Sequence, residues 1–113
     1  MSDLYVIKNN QEFENFIIEN EAALIYFSHE ECNVCMALKP KITNLIVNNY
    51  KKVKIAYCDS IKNPEIAAQN SIFAVPTILI YFDGREFIRK SRNIGIEELN
   101  SLIDRPYKMM FPD

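Results

Sequence analysis

Apolar positions along this chain fall into short runs, and their spacing changes from one run to the next. Ala22 to Ser28 is apolar nearly throughout, as a central strand covered on both faces is. Val53 to Asp59 alternates as a strand does, and Thr77 to Phe82 is rich in β-branched and aromatic residues. Asp83-Gly84 then reads as a hairpin turn into a strand from Glu86 to Ser91. Helical spacing appears elsewhere. Phe13, Phe16 and Ile17 recur after the capping pair Asn9-Asn10. From Asn33 to about Asn49, Cys35, Leu38, Ile42, Leu45 and Ile46 share one face, with Pro40 inside the run. Asn63-Pro64-Glu65 starts a short helix that Ile66 to Gln69 continues, with Asn63 as its cap. Ile96 to Arg105 is a last helix, which Pro106 is expected to stop.

With a short β-like piece at Leu4 to Lys8, the order is β-α-β-α-β-α-β-β-α. Alternation in the first half predicts parallel strands with crossover helices, and the final hairpin adds antiparallel ones. The expected fold class is α/β, a central mixed sheet of about five strands flanked by about four helices. No linker or repeat divides the chain. One domain over residues 1–106 is expected, followed by an apolar tail over residues 107–113 that folds back on it.

The chemistry concentrates at Cys32-Asn-Val-Cys35, between the apolar strand and the long helix. Cysteines three apart share a helical turn and can close a disulfide with little backbone movement. The same pair can hold a metal, with His29-x-x-Cys32-x-x-Cys35 as the spacing and Cys58 as a further ligand, or be two inert buried thiols. A structural zinc needs four ligands, and no second Cys-x-x-Cys is present. Cys58 ends a strand and reads as a small buried hydrophobe.

Composition narrows the partners. Thirteen Lys+Arg against fifteen Asp+Glu give a net charge of −2, with no general basic field for nucleic acid or an anionic membrane. No apolar run approaches the roughly 20 residues of a membrane helix, and the first residues do not read as a signal peptide. Three cysteines, an odd and small number, suit a reducing cytoplasm better than a secreted disulfide scaffold.

Taken together, Leu24-Ile-Tyr-Phe27 leading into Cys32-Asn-Val-Cys35, then Pro40, then Val75-Pro76-Thr77 opening a strand, then Asp83-Gly84, resemble the thioredoxin superfamily over nearly the whole chain. The resemblance implies a thioredoxin-like fold and a thiol–disulfide oxidoreductase with no bound cofactor, working through a redox-active Cys32–Cys35 disulfide. It implies a cis proline at Pro76 facing the pair, with the backbone beside it at Val75 taking a strand-like client peptide. Clients would be protein disulfides or dithiols. Electrons would come from an NADPH-dependent flavin reductase or another dithiol donor, and a monomer with no resident metal is expected. The chain departs from the family at three places. Ser28-His29-Glu30-Glu31 replaces an aromatic-rich approach, Tyr26 stands where a buried acid is usual, and Ser91-Arg92-Asn93 lacks the expected glycine.

At a helix N-terminus, unpaired N–H groups and the helix dipole favour an anion, so the Cys32 thiol is expected to ionise more easily than a free one. Thioredoxin is itself a known case of this lowering, so the expectation is shared with the family. Cys35, in the apolar stripe, should be buried and slower. Cys32 would attack a client disulfide, and Cys35 would then displace the client. His29 and Glu30 are the candidate proton acceptors for Cys35; a solvated loop residue is the plain alternative for His29. Val34, Val75 and Phe73 are expected to form an apolar docking patch, with Arg92 at its rim favouring acidic clients. Two other functions fit the same residues: a non-catalytic binding module on this fold, or the His/Cys metal or cluster site.

Overall fold

The computed structural model describes residues 5–112. Its elements run β1 (Tyr5–Ile7), α1 (Asn10–Glu19), β2 (Ala22–Ser28), α2 (Asn33–Asn49), β3 (Val53–Asp59), α3 (Pro64–Gln69), β4 (Thr77–Phe82), β5 (Arg85–Ser91) and α4 (Ile96–Met110). Leu4, expected in the first strand, and Asp113, at the end of the expected tail, lie outside the described residues. The sheet order is β1-β3-β2-β4-β5. β1 and β2 pair parallel with β3, while β4 pairs antiparallel with β2 and β5 with β4. The alternating half gives the parallel strands and the hairpin the antiparallel ones, as the order of the elements requires.

β2 divides the core. Successive strand side chains point to opposite faces. Ala22, Leu24 and Tyr26 therefore pack with Cys35, Leu38, Ile42 and Ile46 of α2 and with Leu99 and Ile103 of α4. Ala23, Ile25 and Phe27 pack with Phe13 and Ile17 of α1 and with Ile66 and Ala67 of α3. All seven residues of β2 are buried. Burying each large apolar side chain contributes about 1.5–3 kcal/mol, so this strand is held from both faces. Its C-terminal end, where the cysteine pair begins, is positioned by that grip.

Local chemistry sets the element ends. The Glu12 amide donates to Asn9 Oδ1 at 2.9 Å, the cap expected for α1. Asn63 does not cap α3 as expected. Its Nδ2 donates instead to the Asp59 carbonyl at 3.0 Å, and Asp59 Oδ1 accepts from the Ile61 and Lys62 amides. The tight turn after β3 draws the side chain back toward the strand. At the hairpin, Asp83 and Gly84 have φ of 55° and 81°, as a two-residue turn of this twist needs.

Pro106 does not stop α4, which runs on to Met110. The proline removes one helical donor, but the residues beyond it are apolar and find the core. Tyr107, Met110 and Phe111 pack against the α2/α4 cluster. The Tyr107 ring meets Tyr50 edge-on at 4.9 Å, and its hydroxyl accepts from the Lys52 amide at 3.1 Å. This packing offsets the missing bond, so most of the expected tail is helix.

Burial also sets the chain's response to alkali. It pushes the Tyr50 and Tyr81 hydroxyls up to about 12, with Asp104 and Glu86 respectively adding to the shift. It pushes the Cys58 thiol up to about 12 as well, with Asp59 contributing. Between the ordinary pKa and the raised one, the unfolded chain has lost protons that the folded chain keeps. Stability therefore falls as pH rises from about 9 toward 12. Urea midpoints should decline steadily across that range, and a flat midpoint would show that these groups are not withheld from water.

Candidate active site

Ser28 ends β2, and His29-Glu30-Glu31 turn the chain into α2. Cys32 is the N-cap of that helix, with extended backbone angles. Its amide donates to the His29 carbonyl at 3.2 Å, and its carbonyl accepts from Met36 at 3.1 Å. Cys32 Sγ accepts from the Cys35 amide at 3.1 Å. A helix start leaves its first N–H groups without backbone partners, and here sulfur takes the place that a serine or aspartate oxygen usually fills. Cys32 and Cys35 are joined by a disulfide, with Cα atoms 5.2 Å apart. Cys32 is partly exposed, whereas Cys35 is wholly buried in the α2/α4 core.

The segment before β4 is tied to the end of β5. The Val75–Pro76 peptide is cis and Pro76 is buried. Thr77 Oγ1 donates to the Ala74 carbonyl at 2.7 Å and lies 2.9 Å from Ser91 Oγ. The Arg92 amide donates to the Pro76 carbonyl at 2.8 Å. Arg92 itself has φ of 67°, in the left-handed region. Glycine enters that region freely, while other residues lose roughly 1–2 kcal/mol there.

Two grooves adjoin these segments. One, of about 390 Å³, is lined by His29 and Ser60, by Pro64 and Ala67 of α3, and by Phe73 and Val75. The other, of about 500 Å³, is lined by Val34, Leu38 and Lys41 of α2 and by Arg92, Asn93 and Ile94. Of the expected apolar patch, Val34 lines the second groove and Val75 and Phe73 the first. The Arg92–Pro76 bond links the two walls.

A model of the thioredoxin family matches residues 5–105. The Thioredoxin-like protein YdfQ of Bacillus subtilis is 28% identical over 109 residues, covering 96% of both chains. Thioredoxin of Buchnera aphidicola is 32% identical over 101 residues, covering 88% of this chain and 93% of that one. The solved structure of oxidized mitochondrial thioredoxin 3 from Saccharomyces cerevisiae superposes with a TM-score of 0.82 at 27% identity, covering 91% of this chain and 98% of that one. The chain belongs to the thioredoxin family.

Thioredoxins act through a redox-active disulfide without a bound cofactor, and the pair here is at disulfide distance. Among the described residues, no three or more His, Cys, Asp or Glu side chains are grouped to hold a metal ion. Cys58 is a free, buried thiol in the α1/α3 core cluster, away from the Cys35 cluster.

A tyrosine lies beside the pair. The Tyr26 hydroxyl donates to the Cys35 carbonyl at 2.7 Å. Burial, with Tyr57 beside it, holds that hydroxyl protonated well above the ordinary tyrosine range. Through this bond Tyr26 anchors the first turn of α2 to β2. Beside it, Ser28 Oγ donates to Tyr57 Oη at 2.8 Å, and the Lys39 ammonium lies 4.4 Å from the Tyr57 ring centroid. Tyr57, Ser28 and Lys39 had no motif to mark them, because the β2/β3 register and the packing of α2 on the sheet bring them together.

Neither expected proton acceptor is hydrogen-bonded to a cysteine sulfur among the described residues. Glu30 is engaged by Lys62 Nζ at 3.2 Å. His29 faces the α3-side groove, where its buried Nδ1 has no partner.

The left-handed Arg92 gives a direct check on this loop. Arg92→Gly should stabilise the protein by about 1 kcal/mol and raise Tm by about 4 °C. A lower Tm would show that the backbone at this position is not strained.

Proposed function

We propose that this thioredoxin exchanges the Cys32–Cys35 dithiol and disulfide with disulfides in proteins, through a mixed disulfide at Cys32. The observation that carries the reading is the asymmetry of the pair. Cys32 is partly exposed at a helix start that supplies it with an N–H donor, while Cys35 is sealed in the core one turn away. In the reduced protein, the same donor stabilises a Cys32 thiolate. That thiolate attacks one sulfur of the client disulfide, and the other client sulfur leaves with the bonding electron pair. Cys35 then loses its proton and attacks Cys32 Sγ. The Cys32–Cys35 bond forms, the mixed disulfide breaks, and the second client thiolate departs. Both electrons have passed to the client, which takes up two protons.

With Glu30 bound to Lys62 and His29 turned to the α3 side, we assign the Cys35 proton to water or to the departing client thiolate. Val34, Val75 and Pro76 are the proposed client contacts. The backbone N–H and carbonyl of Val75 enter no hydrogen bond within the described chain, which leaves them for an extended client segment. Reducing equivalents would come from an NADPH-dependent flavin reductase or another dithiol donor. The reading places the protein in a reducing cytoplasm, acting as a monomer.

Cys35→Ser should accumulate client proteins bound covalently through Cys32 and released by dithiothreitol, whereas Cys32→Ser should trap none. At limiting alkylating reagent, the reduced protein should be labelled at Cys32 before Cys35. Labelling in the opposite order, or full biological activity in Cys32→Ser, would replace this reading with a binding module. His29→Ala should leave the pH–rate profile in place.

A further inference from the structure

The groove between α2 and the β5–α4 loop carries one sign of charge. Its floor is apolar, built from Val34, Leu38 and Ile94. Its only charged lining residues are Lys41 and Arg92, and no carboxylate lines it. Neither cation is in an ion pair among the described residues, although four other pairs form on the surface. The carboxylates nearest the lining in sequence are Glu31, exposed three residues before Val34, and Glu97 and Glu98 in the first turn of α4; none of them lines the groove, and Glu98 is held by Lys90 at 2.8 Å. The groove adjoins the attacking sulfur through Val34, which stands between the two cysteines and is mostly exposed. The groove on the α3 side lacks this charge, with only His29 and Ser60 as polar lining side chains. Arg92 is also held in a backbone conformation that glycine would occupy at lower cost.

We propose that this groove selects the client. Resting on the oxidoreductase reading above, the inference is that preferred disulfides lie in segments with an Asp or Glu close to the attacked cysteine. Its carboxylate would sit between Lys41 and Arg92 while an adjoining apolar side chain covers Val34 and Ile94. Within about three residues of the cysteine, roughly 10 Å of extended chain reaches such a position. An exposed pair of opposite charges gains little and is screened by salt, so the selectivity is modest and sensitive to ionic strength.

The test is single-turnover reduction of three symmetric peptide disulfides by the reduced full-length protein. The peptides are identical except for Glu, Gln or Lys placed two residues from the cysteine. Reduction of each consumes one Cys32–Cys35 dithiol and releases two peptide thiols. At low salt the Glu peptide should react about threefold faster than the Lys peptide. That ratio should shrink in 0.5 M salt, and should approach one in the Arg92→Gly/Lys41→Gln double variant. Arg92→Gly is chosen because it relieves the strained backbone and keeps the chain folded. A ratio near one in the native protein, or an unchanged ratio in the double variant, overturns the inference. Reduction of the Gln peptide in that case leaves the oxidoreductase reading standing. Failure to reduce any of the three removes both.

Discussion

The bond from the Cys35 amide to Cys32 Sγ is the contact on which the site depends. It exists because α2 begins at Cys32, and α2 begins there because β2 ends four residues earlier, at Ser28. A strand buried on both faces has little freedom to slide. A one-residue slip would drive the Leu24–Tyr26 face into the α1/α3 core and expose the attachment of α2. The redox pair thus takes its position from packing on two sides of the sheet. Tyr26, two residues before the end of the same strand, adds a hydrogen bond to the Cys35 carbonyl.

From that placement follows the difference between the sulfurs. One turn of helix separates an edge in contact with solvent from a core position with no exposure. Beside the buried position stands Tyr26, whose hydroxyl burial holds protonated. In the proposed mechanism the leaving client sulfur or water takes the Cys35 proton. The unusual Arg92 lies on the opposite wall, bonded through its amide to the Pro76 carbonyl. One loop therefore supports the backbone of the proposed client-binding segment and adds charge to the adjoining groove.

Much of this was legible in the residues. Strands with continuous or alternating apolar positions, the Asp83-Gly84 turn and the helical stripe through Cys35 lie where their periods placed them, because each is dictated locally. The cysteine pair was legible because spacing and context agree. What escaped was decided by tertiary packing. Pro106 signals a stop, but Tyr107 and Phe111 gain more from the core than the helix loses at the proline. Asn63 looks like a cap, but a nearer carbonyl in the turn after β3 claims its amide. The Ser28–Tyr57–Lys39 group has no local signature, since strand register and helix packing assemble it from three elements. The partition of Val34 and Val75 into separate grooves likewise depends on the path of the β5–α4 loop.

The central claim is that Cys32 and Cys35 form one reversible two-electron centre from which Cys58 is excluded. Equilibration of the full-length protein against graded ratios of reduced and oxidised dithiothreitol, read by intact mass and peptide mapping, tests it most directly. A single transition is predicted, with loss of both thiol hydrogens, a Cys32–Cys35 linkage, and an unmodified Cys58 throughout. Oxidation that instead yields linkages through Cys58, or only disulfide-joined dimers, would contradict the account.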